Sequence, residues 1–352
     1  MPNCRCLDRL AGGPRGGTGA ADSAARTRQV RDLPLGLGWP VEEAKVSRRI
    51  EPTDERVRVA GDVEVRILRW APAGDSNDGS PSAGPFLLVH GLASNARLWD
   101  GIGRRLAETG RYAVAVDLRG HGRSDKPDSG YDFATVAADL RALIGALGPG
   151  FERPILVGQS WGASVVLDFA VRYPDLTRGL VLVDGGLTNL RDGFPSWEVC
   201  WERLAPPQLV GMPLSSVEGY FRSAHADWPE EGFEGSLGNF EIRADRTIAP
   251  WLSRDHHKAI LEAMWGQRTA DLWRSLRVPA LIVPVDGGEN DWTAAKRAGS
   301  EAALAAVAPA GVGARVRWFK GDHDIHAQHP AELANAILSA DRDGLFSGAL
   351  PA

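Results

Sequence analysis

Pro154-Ile-Leu-Val157 followed by Gly158-Gln159-Ser160-Trp161-Gly162 and Ala163 to Tyr173 decides the reading of this chain. Four residues without charge form a run of the kind found in a strand buried on both faces. The stretch from Trp161 to Tyr173 carries apolar residues at helical spacing. Between them lies G-x-S-x-G, a sharp strand-to-helix turn that holds a serine in a strained backbone. Gly158 and Gly162 leave room for the close approach. A serine so placed stands at a helix N-terminus, where free N–H groups and the helix dipole favour developing negative charge. Ser160 is therefore the candidate nucleophile.

Outward from this turn the pattern repeats. Pro85 to Val89, Tyr112 to Val116, Leu180 to Val183 and Pro279 to Val283 are further buried runs, and Val316 to Phe319 is the last strand. Helical stretches lie between them, at about 98–109, 133–147, 292–307 and 331–338. Strand–helix alternation implies a mostly parallel, doubly wound α/β sheet. Ahead of it, Val57 and Val59, then Val63, Val65 and Ile67, alternate around Gly61-Asp62 as a β-hairpin.

After Val183 the alternation stops for about 90 residues. That stretch is helical in tendency and holds six of the twelve tryptophans. The expected organisation is an aperiodic, disordered tail over 1–45, an α/β core over 46–185 and 276–345, and a helical lid over 186–275, inserted after the sixth strand. Most lid tryptophans are expected to pack on one another and a few to face the cleft, which predicts a partly apolar small-molecule substrate.

Bulk properties exclude several classes. Of 352 residues, 43% are hydrophobic and 24% charged, as in a globular protein with a sizeable core. A net charge of -5 gives no footprint for nucleic acid. Cys4, Cys6 and Cys200 form no paired framework. Neither a secretory signal nor a membrane span is apparent. The expectation is a soluble, cytoplasmic protein without a cofactor.

Two further loops bear on chemistry. Val89-His90-Gly91-Leu92 turns beside the serine, so the backbone N–H groups of Leu92 and Trp161 are candidates for an oxyanion hole. His90 itself is read as a brace. Lys320-Gly321-Asp322-His323 follows the last strand, at the sheet edge where open α/β folds bind ligands. His323 is the candidate general base. His326 and His329 follow at three-residue steps, but no complementary ligand set makes a metal site of them.

Residues 86–99, Asp117 to Ser124, Gly158 to Gly162 and Gly321 to Pro330 resemble the lidded serine hydrolases of the α/β-hydrolase fold superfamily. The resemblance covers about 56–340. It implies a Ser-His-acid triad and hydrolysis of an ester, lactone or similar acyl compound through an acyl-enzyme. His323, seven residues before Pro330, matches the family's histidine, and the loop around His121 is implied to be structural. Epoxide and haloalkane branches are excluded, because they carry aspartate where Ser160 stands. Alternatives are a peptidase similar to proline iminopeptidases, with the acidic run Trp228 to Glu234 holding an amine, a carbon–carbon bond hydrolase, and a non-catalytic receptor on the same fold.

The acid is where the pattern breaks. The family's aspartate falls on Gly288, among Asp286, Glu289 and Asp291. Asp286 is the first choice, because the glycines after it permit a tight turn toward His323. Glu289 follows if the loop has gained a residue. Asp291 is expected to cap the next helix. Asp184, ending the previous strand, stays open, since some members supply the acid there.

Overall fold

The computed structural model describes residues 50–72 and 84–347. The 1–45 tail lies outside them, as does most of the polar loop that ends near Gly84.

The hairpin is β1 (Thr53–Arg58) and β2 (Glu64–Trp70), antiparallel with Val57 opposite Val65. The wound part runs β3 (Phe86–Val89), α1 (Asp100–Glu108), β4 (Ala113–Val116), α2 (Phe133–Ala146), β5 (Ile155–Gln159), α3 (Trp161–Arg172) and β6 (Gly179–Val183). The chain then enters the insertion: α4 (Trp197–Leu204), α5 (Leu214–Ala224), α6 (Glu230–Leu237), β7 (Phe240–Ile242), β8 (Ile248–Pro250), α7 (Arg254–Gly266) and α8 (Thr269–Ser275). It returns through β9 (Ala280–Val283), β10 (Val285–Asp286), α9 (Asp291–Val307), β11 (Ala314–Val316), β12 (Phe319–Lys320), α10 (Ile325–Gln328) and α11 (Pro330–Arg342).

Eight strands form one sheet in the order β1-β2-β4-β3-β5-β6-β9-β11. Pairing is antiparallel from β1 through β4 and parallel across the rest. β3, β4, β5, β6 and β9 are buried along their whole length, as the continuous apolar runs predict. One large apolar cluster lies on each face.

Two details differ from the sequence reading. The insertion is not wholly helical, because β7 and β8 form a small antiparallel ribbon. The last strand is also broken in two. Ala314–Val316 pairs with β9, whereas Phe319–Lys320 pairs with Val285–Asp286 in a separate two-stranded ribbon. Pro284 stands between β9 and β10 and has no N–H to continue a ladder.

The insertion shares the main core. Cys200, Leu204, Leu261, Met264 and Trp273 belong to the same cluster as Val165 and Phe169 of α3. Leu209, Leu214, Val217, Phe240 and Ile248 form a smaller cluster of their own.

Candidate active site

Ser160 sits at the carboxyl end of β5 with φ 55° and ψ −118°. This is a costly conformation for a residue with a Cβ, of order 1–3 kcal/mol, and the surroundings enforce it. The Ser160 N–H donates to the Val183 carbonyl at 2.9 Å, which ties the turn to the neighbouring strand. A Cβ at Gly162 would collide with the carbonyl oxygens of Val89 and His90. One at Gly158 would strike the Gly162 carbonyl. These collisions are why the motif needs glycine on both sides of the serine.

The Ser160 hydroxyl lies 2.9 Å from His323 Nε2. His323 comes from the loop between β12 and α10, and its carbonyl accepts from the Gln159 amide at 3.1 Å. On the other side of the ring, His323 Nδ1 lies 2.6 Å from a carboxylate oxygen. That carboxylate belongs to Asp184.

Asp286, the first choice from sequence, is elsewhere. Its Oδ1 accepts from the Gly288 N–H at 3.0 Å and its Oδ2 pairs with Arg297 at 3.1 Å. The glycines do form a tight turn, but the turn serves Asp286 itself. β10 leaves the main sheet to pair with β12, carrying Asp286 out to a shallow groove with Glu289 and Lys320. Glu289 does not reach His323 either. Asp291 opens α9, yet the capping side chain is that of Asn290, which accepts from the Thr293 N–H at 2.9 Å.

Asp184 gains its place from the end of β6. Its N–H donates to the Val283 carbonyl at 2.9 Å, holding it at the sheet edge next to Ser160. Its φ of 47° then turns the chain into Gly185, where a Cβ would collide with the Ser160 carbonyl. The carboxylate is fully buried. Its Oδ1 accepts from the Val285 N–H at 2.8 Å, and Lys296 of α9 lies 2.7 Å from Oδ1 and 2.9 Å from Oδ2. Burial pushes its pKa up, but His323 and Lys296 outweigh that and hold it below the usual carboxylate range. Sequence reasoning did not find Lys296. Nothing in Trp292 to Arg297 links that lysine to a residue 112 positions earlier.

Leu92, Ser160 and His323 line one cavity of about 240 Å³. Trp161 is the first residue of α3, so its N–H has no carbonyl one turn back in its own helix. His90 and His121 brace the surrounding loops. The His90 Nε2 accepts from the Leu118 N–H at 3.0 Å, and the His121 Nε2 from the Ala93 N–H at 3.3 Å. Burial lowers the pKa of both rings, which keeps those acceptor nitrogens free of protons.

The insertion supplies most of the cavity wall. Leu209, Tyr220, Phe221, Trp228, Phe240 and Leu252 make it largely apolar. Of the six insertion tryptophans only Trp228 lines it; Trp197, Trp201 and Trp265 pack on one another. The acidic run directs its carboxylates to arginines. Glu230 pairs with Arg222, Glu231 with Arg104 and Arg105, and Glu234 approaches Arg97. His326 turns away from His323 into the core, its ring 4.5 Å from that of Trp99. No group of three His, Cys, Asp or Glu residues placed to hold a metal ion occurs among the described residues. No helix among them is long and apolar enough to cross a membrane.

The model of the alpha/beta hydrolase family matches residues 86–336. The chain belongs to this family. Among alpha/beta hydrolases, the 2-(acetamidomethylene)succinate hydrolase of Mesorhizobium japonicum is 42% identical over 205 residues, 57% of this chain and 70% of that protein. An uncharacterized protein of Mycobacterium tuberculosis, Rv2715, is 42% identical over 110 residues. The match spans only 31% of that protein's length. Among solved structures of the fold, that of E-2-(acetamidomethylene)succinate hydrolase aligns with a TM-score of 0.64 at 23% identity, over 82% of this chain and 98% of that one. Est816, described as an N-acyl homoserine lactone degrading enzyme, aligns with a TM-score of 0.59 at 19% identity, over 81% and 99%.

Proposed function

We propose that this protein is a serine hydrolase that cleaves an ester, lactone or similar acyl compound through an acyl-enzyme. The observation that carries the reading is the hydrogen-bonded line from Ser160 through His323 to Asp184, at 2.9 and 2.6 Å. Ser160 Oγ attacks the acyl carbon while His323 Nε2 takes its proton. Asp184 fixes the tautomer with hydrogen on Nδ1 and stabilises the imidazolium. The N–H groups of Leu92 and Trp161 receive the oxyanion. The tetrahedral intermediate collapses as His323 returns the proton to the leaving group. Water then attacks the acyl-enzyme with His323 again as base, releasing the acid and restoring Ser160.

The insertion acts as the lid, since its apolar side chains face Ser160 across the cavity. Such a wall suits a partly apolar substrate. The relative from Mesorhizobium is named for a substrate bearing an acetamido group, itself an acyl compound. The amine-holding role for the acidic run loses support, because its glutamates pair with arginines.

A fluorophosphonate probe tests the reading. The protein should be labelled, and Ser160→Ala should abolish labelling while leaving the circular dichroism unchanged. Labelling that survives in Ser160→Ala removes the nucleophile assignment.

A further inference from the structure

Two polar atoms on the cavity wall go unsatisfied within the protein. Among the described residues, Ser94 Oγ and His257 Nε2 are buried and lack a hydrogen-bond partner, and both residues line the cavity that holds Ser160. An orphaned buried polar group is costly and is rare in a folded protein. A pair of them around one largely apolar cavity points to a ligand that supplies the missing partners. Ser94 stands two residues beyond Leu92, beside the reacting end. His257 belongs to α7, in the wall that the insertion supplies.

The chemistry of the His257 atom is fixed by its surroundings. The other ring nitrogen, Nδ1, donates to the Leu204 carbonyl. In a neutral imidazole one nitrogen donates and the other accepts. Burial is the largest influence on this ring and lowers its pKa to about 4, and the Arg254 charge acts in the same direction. At neutral pH Nε2 therefore presents a lone pair. Arg254, one turn earlier on α7, lines the same wall, but its guanidinium is engaged. It donates to the Pro206 carbonyl and rests 5.0 Å from the centre of the Trp201 ring.

We infer that His257 is a specificity-determining residue, and that the substrate is an acyl compound carrying a hydroxyl or amide N–H that donates to its Nε2. This deepens the hydrolase reading and rests on it. A plain alkyl group against this wall seals the lone pair away from any donor, so the bond is forfeited. A carboxylate sets two acceptors against each other. Ser94 makes no such distinction, because a hydroxyl both donates and accepts. Of the two orphaned atoms, only that of His257 tells a donor from an acceptor.

The test uses p-nitrophenyl esters of straight-chain acids from butyrate to decanoate, each ending in methyl, hydroxyl or carboxylate. The wild-type protein is compared with His257→Asn and His257→Gln at neutral pH. Asparagine keeps a donor toward Leu204 and has no atom at the Nε2 position, whereas glutamine brings an amide oxygen near it. At the best chain length, wild-type kcat/KM should favour hydroxyl over methyl by about ten-fold or more. The ratio should fall to about one in His257→Asn and return in part in His257→Gln. A hydroxyl preference that persists in His257→Asn overturns the inference. So does a wild-type preference for methyl or carboxylate at every length. A second measurement needs no change at His257. In Ser160→Ala, which binds without turnover, the Nε2 nitrogen-15 resonance of His257 should move upfield with the hydroxyl ester and not with the methyl ester. A resonance that stays in place with both overturns the inference as well. If the wild-type protein fails to label with the fluorophosphonate, the hydrolase reading falls, while this resonance still judges His257.

Discussion

A single hydrogen bond separates Asp184 from its competitors. Both Asp184 and Asp286 follow a buried strand, and both precede glycine. Asp184 alone turns with a positive φ at the strand end, which sends its side chain to His323. An amide at this position would present the wrong partner to Nδ1 and favour the wrong tautomer. Asp184→Asn should therefore lower turnover by roughly 10⁴-fold with the fold retained. Asp286→Asn should stay within a few-fold of wild type, because that carboxylate serves a surface turn and Arg297. Steady-state rates on an activated ester such as p-nitrophenyl acetate decide it. A collapse of activity in Asp286→Asn, with Asp184→Asn nearly intact, would reverse the assignment.

At the scale of elements, the wound core was legible because each buried strand is a run of apolar residues with a helix behind it. The elbow was legible because its glycines are demanded by backbone collisions that no other residue avoids. The acid was not legible, since its identity depends on where β10 goes after Pro284. That path is set by pairing of Val285 with Phe319, a contact between segments far apart in sequence. The ribbon of β7 and β8 was equally hidden, as three-residue strands carry too short a pattern to stand out. The same kind of long-range contact ties the insertion to the histidine loop. Asp322 accepts from His225 Nδ1 at 3.0 Å and from Trp228 Nε1 at 2.9 Å. Gln328 accepts from the Asp322 N–H at 2.6 Å and donates to Asp227 at 2.6 Å. Asp322→Ala should release residues 225–228 from this loop. Hydrogen exchange should rise through that segment and α6, and KM should rise several-fold. Unchanged exchange there would show that apolar packing alone holds the insertion down.

For the whole molecule, stability against acid has two separate windows, and the buried histidines govern the upper one. His326 and His257 have pKa values lowered by burial to about 3 and about 4. In the unfolded chain each returns to about 6.5. Below that value the unfolded state takes up protons that the folded state refuses, so stability falls as pH drops from about 6.5 toward the folded values. Each such ring costs roughly 2 kcal/mol between pH 7 and pH 5. The carboxylates with depressed values act lower down, whereas burial raises Asp100 to about 6, so that its share of stability grows as pH falls through that value. Asp54 is held below its usual value chiefly by its hydrogen bonds to Arg66, whereas for Asp184 and Glu231 burial is the largest influence and ion pairing overcomes it. Their contribution is present above about pH 4 and is lost as pH falls through the depressed values. Loss between pH 7 and pH 5 is thus a histidine effect. His326 is the clean probe, because neither ring nitrogen has a hydrogen-bond partner and the ring rests on Trp99. His326→Phe keeps a flat ring there and removes the titrating group. Urea midpoints at pH 7 and pH 5 should differ less in this variant than in wild type, by an amount equivalent to roughly 2 kcal/mol. An identical pH dependence in the two proteins would mean that His326 does not resist protonation in the folded state.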